Sequence, residues 1–170
     1  PGIYANVRRM AALIGHPKRG EALIAQMRAE LTAIGPPPGH GRTAAYYQRR
    51  GYLTGGGSLI DAMIRRVGLV NLATRLGRPP LSRMPLEALI AARPDFVLLD
   101  RTAAGEPDRG AEMLHHPALA AAVPENRRLR LNQALAVCDG PFFPAGVAAL
   151  AQALRAADET ARIAAPRRRP

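Results

Sequence analysis

The order of segments between residues 51 and 100 constrains the fold of this chain more than any other feature. A glycine-rich turn, GYLTGGGS, leads into the helical pattern LIDAMIRRVGLVNLA, and a short loop separates this from PLSRMPLEALIAARPDFVLLD. The last segment contains a predicted helix that begins at Pro85 and ends before Pro94, followed by the apolar run Phe96–Leu99. An uninterrupted apolar run indicates a strand that is buried on both faces. Helices alternating with such strands predict an α/β fold with three layers, a mostly parallel sheet between helices.

Length and composition are consistent with this class of fold. A chain of 170 residues can bury one sizeable core, so we expect one domain with an appendage. Hydrophobic residues make up 48% of the chain but aromatic residues only 4%, which favours helices packed on a sheet over a β-sandwich. No apolar run approaches the roughly 20 residues that cross a bilayer. The first residues, PGIYANVRRM, lack a starting methionine and an apolar signal core, so we expect a trimmed precursor or a fragment.

The net charge of +11 comes mainly from arginine, because Lys18 is the single lysine beside 23 arginines. Three of these arginines lie in the tail at Arg167–Arg169, and the others are scattered over predicted helix faces. They are not interleaved with the aromatic residues that stack on single-stranded nucleic acid. The charge pattern therefore disfavours a nucleic-acid site, while it favours an anionic ligand or an anionic partner.

The cysteine and histidine residues do not indicate a metal site. Cys138 is the single cysteine, so an intrachain disulfide is excluded. His16, His40, His115 and His116 have no metal-ligand spacing, and adjacent helical residues point about 100° apart. We expect neither a metal site nor a resident cofactor. A reactive thiol at Cys138 remains a weaker alternative to a small residue lining a loop.

Proline and glycine divide the chain into a helical start and a compact body. The segments 3–13 and 18–34 are predicted helices, and the run Gly35–Gly39 ends the second of them. The body then begins with a predicted strand, Thr43–Tyr47, in which Tyr46 and Tyr47 should face opposite sides of the sheet. Further helices are predicted at 59–67, 85–92, 109–122 and 145–157, a third strand at 128–131, and a disordered tail beyond residue 161.

The glycine run Gly55–Gly57 allows two interpretations. A dinucleotide-binding fingerprint requires a third glycine where this chain has Ile60, and no Lys-Ser/Thr pair follows as in a P-loop. The simpler interpretation is a tight turn before a helix that Ser58 caps and Asp61 stabilises at its positive end. Ser58 also lacks the surrounding G-x-S-x-G pattern of a hydrolase nucleophile. A nucleotide-binding α/β enzyme domain using this loop is therefore the alternative hypothesis.

Several segments together carry a more specific signal. They are GEALIAQMRAEL, GGGSLIDAMIRRVGLVNLA, MPLEALIAARPDFVLLD, the pair HPALAAA and RLRLN, and GPFFPAGVAALAQAL. In this order the chain resembles the C-terminal lobe, with the preceding inter-lobe helix, of periplasmic binding proteins that serve ABC importers of iron–siderophores, haem and cobalamin. The resemblance covers roughly residues 3–157 and implies a two-lobed binding protein of the class with a helical backbone.

The resemblance implies the following organisation. Residues 1–35 would contain the inter-lobe helix, residues 41–158 would form the C-terminal lobe, and residues 159–170 would be a disordered tail. The N-terminal lobe would be absent from this sequence, together with any export signal preceding it. The protein would be periplasmic and not an enzyme, and the stiff helix at Lys18–Ile34 would limit closure of the lobes to small rocking. An adaptor lobe that binds another protein through its basic face is a third hypothesis.

Candidate ligand contacts follow from the loops after the predicted strands, because ligands of such sheets bind beyond the carboxyl ends of the strands. Tyr52, Arg101, Phe142 and Phe143 lie in or near these loops. The aromatic rings would stack on a macrocycle or a catecholate, and Arg101 would pair with an anionic group. The resemblance further implies that Glu87, in the first turn of its helix, contacts arginines of the membrane permease.

Overall fold

A computed structural model describes residues 2–100, 110–136 and 140–164, and these residues form a sheet between two layers of helices. The strands are β1 (Thr43–Gln48), β2 (Tyr52–Thr54), β3 (Val70–Asn71), β4 (Leu81–Arg83), β5 (Phe96–Asp100) and β6 (Arg128–Leu131). The helices are α1 (Ile3–Leu13), α2 (Pro17–Ala33), α3 (Leu59–Arg66), α4 (Leu72–Arg75), α5 (Leu86–Ala91), α6 (Glu112–His115), α7 (Pro117–Ala122) and α8 (Phe143–Ala164). Short 3-10 turns occupy Arg49–Gly51, Glu125–Arg127 and Gln133–Leu135.

The sheet combines a parallel centre with an antiparallel extension. Strand β1 runs parallel to β3 and β5, and β5 runs parallel to β6. The second half of β1 instead pairs antiparallel with β2, and β2 pairs antiparallel with β4. The predicted mostly parallel sheet is therefore confirmed. The extension was not predicted, because β2 and β4 have three residues each and no extended hydrophobic alternation.

Two apolar clusters, one on each face of the sheet, hold the layers together. Tyr46 belongs to the first cluster, with residues of α2, α3 and α8. Tyr47 belongs to the second cluster, with residues of α4 to α7, and its hydroxyl donates to the Met84 carbonyl at 3.0 Å. The adjacent tyrosines thus face opposite layers, as the period of a strand predicts. The three-layer α/β fold follows from burial on both faces.

Two helical segments differ from the predicted ones. The predicted helix 109–122 is divided into α6 and α7, because Pro117 cannot continue a helix and His116 Nδ1 accepts from the Ala118 N–H at 3.1 Å. The last helix is longer than predicted and runs to Ala164. The prediction of a disordered tail from residue 159 is therefore wrong for residues 159–164, where an ion pair joins Arg162 to Glu159. Residues 165–170 lie outside the described part of the chain.

The helical hairpin of α1 and α2 is joined to the body at the end of α2. The Arg66 Nη2 atom donates to the Leu31 carbonyl at 3.1 Å, and Arg155 Nη2 donates to the Ile34 carbonyl at 2.7 Å. The last carbonyls of a helix have no partner within the helix. Guanidinium groups from α3 and α8 therefore provide partners for the last carbonyls of α2 and hold the end of α2 against these two helices.

Gly20 allows the two helices of the hairpin to approach closely. A Cβ atom at Gly20 would lie 2.5 Å from the Ala11 Cβ atom. We expect Gly20→Leu to lower the free energy of unfolding by about 2 kcal/mol, because overpacking forces the helices apart. Urea denaturation followed by circular dichroism measures this change. The matched control is Ala25→Leu at an exposed position of α2, and equal stability of both variants would contradict the close packing.

Candidate ligand-binding edge

The carboxyl ends of three parallel strands meet at one edge of the sheet, called the carboxyl edge here. Strand β1 ends at Gln48, β5 at Asp100 and β6 at Leu131, and 3-10 turns follow β1 and β6. This edge is where open α/β sheets bind their ligands. The ligand contacts predicted from the sequence belong to the segments that follow these three strands.

A small cavity lies within the carboxyl edge. Its volume is about 80 Å³, and Tyr46, Tyr47, Gln48, Arg49, Asp100, Leu114 and Gln133 line it. Burial raises the pKa of Tyr46 to about 12, and the negative charge of Asp100 adds to this rise. The Tyr46 hydroxyl therefore stays protonated at neutral pH. The cavity has room for a small substituent or water molecules, but a macrocycle would have to lie across its mouth.

A larger groove lies on the helical hairpin. It encloses about 730 Å³ between α1 and α2 and extends to Gly140 and Pro141. Met10 and Ile14 beside it are 61% and 62% exposed. Its lining includes the polar residues Asn6, His16, Arg19 and Gln26, but it lies on the helical hairpin rather than at the carboxyl ends of the strands, where open α/β sheets bind ligands.

Tyr52 stands on the antiparallel extension next to the carboxyl edge. In the register of the strands it pairs with Gln48 on one side and with Arg83 on the other. The Arg83 guanidinium lies over the Tyr52 ring, 5.9 Å from its centroid. Gln48 Nε2 also donates to the Thr54 hydroxyl. These side chains are polar or aromatic and partly or fully exposed, so they are accessible to a ligand.

Arg83, which lies over Tyr52, is linked to two further arginines through backbone carbonyls. Arg83 Nη2 donates to the Arg50 carbonyl at 3.4 Å, and Arg78 Nη1 donates to the Arg83 carbonyl at 3.4 Å. Arg50 has a φ of 59°, and its N–H donates to the Gly110 carbonyl at 2.7 Å. A residue other than glycine in this region carries backbone strain that its surroundings must support. The sequence prediction of the site missed Arg83, because it reaches Tyr52 only through the pairing of β2 with β4.

The two predicted phenylalanines lie on the β6 side of the site. Phe142 is 65% exposed, whereas Phe143 at the start of α8 packs against the first apolar cluster. Strands β2 and β6 are three strand spacings apart, about 14 Å, and Tyr52 lies on β2. Arg101 lies outside the described residues. Cys138, the candidate reactive thiol, also lies outside them.

Glu87 occupies the position that the sequence predicts. It is exposed in the first turn of α5, which follows directly after Pro85. Burial raises the pKa of Tyr47 to about 12, and the negative charge of Glu87 adds to this rise. Since Tyr47 also lines the cavity, Glu87 stands close to the carboxyl edge and points to solvent.

The glycine loop is a structural turn. The Ser58 hydroxyl donates to the Gly55 carbonyl at 2.8 Å and accepts from the Asp61 N–H at 3.1 Å, which confirms the predicted cap. A Cβ atom at Gly55 would lie 2.7 Å from the Pro79 carbonyl oxygen, so Gly55 is needed for close packing against the protein's own backbone. The nucleotide-binding alternative has no support from this geometry.

Within 2–100, 110–136 and 140–164, no group of three or more histidine, cysteine, aspartate or glutamate residues is arranged to hold a metal ion. In the same ranges, none of the helices combines the length and the apolar character needed to cross a membrane.

Known structures share this fold. The periplasmic haem-binding protein RhuT from Roseiflexus sp. RS-1 is 27% identical, with a TM-score of 0.70 over 92% of this chain and 65% of its own. A periplasmic haem-binding protein from Pseudomonas aeruginosa is 26% identical, with a TM-score of 0.70 over 89% of this chain and 58% of its own. An Fe3+-hydroxamate transport protein from Saccharomonospora viridis is 19% identical, with a TM-score of 0.72 over 90% of this chain and 56% of its own, which shows the fold alone.

The family follows from the sequence as well. No curated protein sequence matches this chain. The chain spans only part of these proteins: across solved structures that share its fold, it covers between 51% and 65% of their length. The profile of the periplasmic binding protein family matches residues 2–135, most of the 170 residues, and the neighbours in this family are binding proteins. This chain therefore belongs to the periplasmic binding protein family.

Proposed function

We propose that this protein is the solute-binding component of an ABC importer, working in the periplasm and capturing an iron chelate, haem or a corrinoid. The observation that carries the proposal is the family match over residues 2–135. Both structures above that exceed 25% identity are described as haem-binding proteins, which favours haem among the three ligands. The protein would bind its ligand and release it unchanged, so no catalytic residue is assigned.

The carboxyl edge supplies one wall of the proposed site. The half-buried Tyr52 and the exposed Phe142 would offer aromatic faces to a broad ligand such as a macrocycle. Phe143 would support Phe142 from the core side, and Arg101 would pair with an anionic group. The second wall would come from a lobe equivalent to the part of the relatives that this chain does not span.

The packing of α2 supports a stiff connection between this lobe and the proposed second lobe. Two guanidinium groups hold the end of α2 to α3 and α8, so α2 and the sheet would move together. Closure would then be a small rocking of one lobe against the other rather than a wide hinge motion. The permease would contact this lobe through Glu87, which stands exposed near the same edge.

Calorimetric titration tests the proposal, and the absence of tryptophan makes heat a better signal than intrinsic fluorescence. The probes are haemin, a ferric hydroxamate and cyanocobalamin, each added to the full encoded protein and to the 170-residue chain. We expect one probe to bind the full protein tightly. The 170-residue chain should bind it about 100-fold more weakly, because one wall covers too little of the ligand surface.

Two results would contradict the proposal. Binding of none of the probes by the full protein would remove the assignment as a carrier of these ligands. Equally tight binding by the 170-residue chain would remove the requirement for two walls.

A further inference from the structure

Helix α1 has few packing partners within the described part of the chain. It packs mainly against α2, and among its eleven residues, all of them described, only Ala11 is buried. The ion pair of Arg8 with Glu21 also joins α1 to α2, but both side chains are about half exposed, and such pairs stabilise little. Helices shorter than about 12 residues depend on packing for their stability. Helix α1 is therefore left with an unpacked face.

That face carries an apolar stripe along the groove between α1 and α2. Val7, Met10 and Ile14 follow one another at spacings of three and four residues, so they share one side of the helix. All three line the groove, and Leu23 lines it from α2. An apolar stripe of this spacing is typical of a helix that packs against another element, so the groove has the pattern of an interface.

A second copy of this chain is a poor partner for the stripe. Symmetric dimers join the same surface of both copies, so the cations around the groove would meet their counterparts. Arg19 lines the groove, and Arg9 and Lys18, which are next to groove residues in the chain, are exposed. Each copy also carries a net charge of +11, so repulsion between like charges would oppose the contact.

Another part of the same protein is a better partner. Solved structures that share this fold are longer, and this chain covers 56% to 65% of the three named above. Helix α1 begins at Ile3, so a lobe attached before α1 would be held close to the groove by the chain itself. Such a lobe would bury the stripe without bringing two equally charged surfaces together.

We propose that the groove between α1 and α2 packs against the second lobe, so that α1 joins the core of that lobe and α2 connects it to the sheet. During closure α1 would move with the second lobe, while the end of α2 stays fixed to α3 and α8. This inference rests on the proposed function and identifies the surface on which the second lobe docks.

Hydrogen exchange tests this packing in the absence of ligand. The full encoded protein is compared with the 170-residue chain, and exchange is followed at the amides of Val7 to Ile14. We expect these amides to exchange at least about 100-fold more slowly in the full protein, because packing of the second lobe would suppress local opening of α1. The amides of Val97 and Leu98, in the buried centre of β5, are the internal control and should be protected in both proteins.

Substitutions connect the protection to the stripe. Met10→Glu and Ile14→Glu each place a charge in the proposed interface, and each should lower the Tm of the full protein by at least about 5 °C. In the 170-residue chain both side chains are mostly exposed, so the Tm should change by less than about 2 °C. Leu13→Glu is the matched control, because Leu13 is 76% exposed at the end of the same helix and does not line the groove. It should leave the Tm of both proteins nearly unchanged.

The outcomes separate this inference from the proposed function. Equal exchange of α1 in the two proteins, equal Tm changes for Met10→Glu and Leu13→Glu in the full protein, or an encoded protein without a second lobe would overturn the inference. Sedimentation of the 170-residue chain as a dimer that Met10→Glu dissociates would assign the groove to a second copy and would also overturn it. Binding of none of the calorimetric probes would overturn the proposed function alone, because exchange and unfolding are measured without ligand.

Discussion

Asp61→Ala is expected to lower the free energy of unfolding by about 3 kcal/mol, because it removes the centre of a buried polar network. Asp61 is 3% exposed, and its Oδ1 atom accepts from Asn71 Nδ2 and from the Thr74 hydroxyl, each at 3.1 Å. Its Oδ2 atom lies 3.1 Å from Arg65 Nε. Alanine would leave the buried amide of Asn71 with fewer partners. The cost of an unsatisfied buried donor exceeds the gain of a formed hydrogen bond.

The same substitution should loosen the glycine loop. Asn71 Nδ2 also donates to the Thr54 carbonyl, so the network connects the end of β2 to α3. Urea denaturation measures the loss of stability, and hydrogen exchange of Gly55–Gly57 reports on the loop. Glu30→Ala is the control, because Glu30 is exposed and contacts only Gln26 in the described hydrogen bonds, so its Tm should stay unchanged. A loss below about 1 kcal/mol in Asp61→Ala would refute the role of the network.

Glu87→Ala is expected to lower transport by the assembled importer at least about tenfold while the affinity for the ligand stays unchanged. Glu87 is exposed and takes part in no hydrogen bond or ion pair among the described residues, so its removal should leave the carboxyl edge folded as before. An exposed carboxylate that meets permease arginines would guide docking, and its effect should weaken with added salt. Ligand uptake into proteoliposomes containing the permease measures transport, and calorimetry measures affinity.

A second exposed glutamate provides the control for this prediction. Glu112 lies on α6, and Glu112→Ala should leave uptake within about twofold of the unchanged protein. If Glu87→Ala transports as well as Glu112→Ala, then Glu87 does not dock the permease. A parallel loss of ligand affinity would instead place Glu87 in the binding site.

Local patterns in the sequence predicted most of the helices and central strands. Ser58 and Asp61 have the spacing of a helix cap, and the structure has this cap. The adjacent residues Tyr46 and Tyr47 alternate across the sheet, as any two neighbours in a strand must. These features depend on residues close to one another in the chain. They can therefore be predicted without knowledge of the tertiary structure.

The errors arose where a local signal was given too little or too much weight. Pro117 ends α6 and starts α7, so the predicted single helix 109–122 does not exist. In the last helix, the arginine-rich tail suggested disorder from residue 159, although α8 runs to Ala164. Asp158 of this helix accepts a hydrogen bond from Arg42 Nη2 at 2.9 Å, which lowers the pKa of Asp158 and joins the helix to the start of β1. This stabilising contact spans more than 100 residues, so a local pattern could not reveal it.

By itself the sequence determined the α/β class, the family and the position of Glu87, because periodic burial, caps and motif order are properties of the linear chain. Only the tertiary structure decided that β2 and β4 extend the sheet and bring Arg83 over the ring of Tyr52. Strand pairing depends on which backbone N–H and C=O groups of distant segments come together and satisfy one another. For this reason the contact between Arg83 and Tyr52 becomes visible only in the folded molecule.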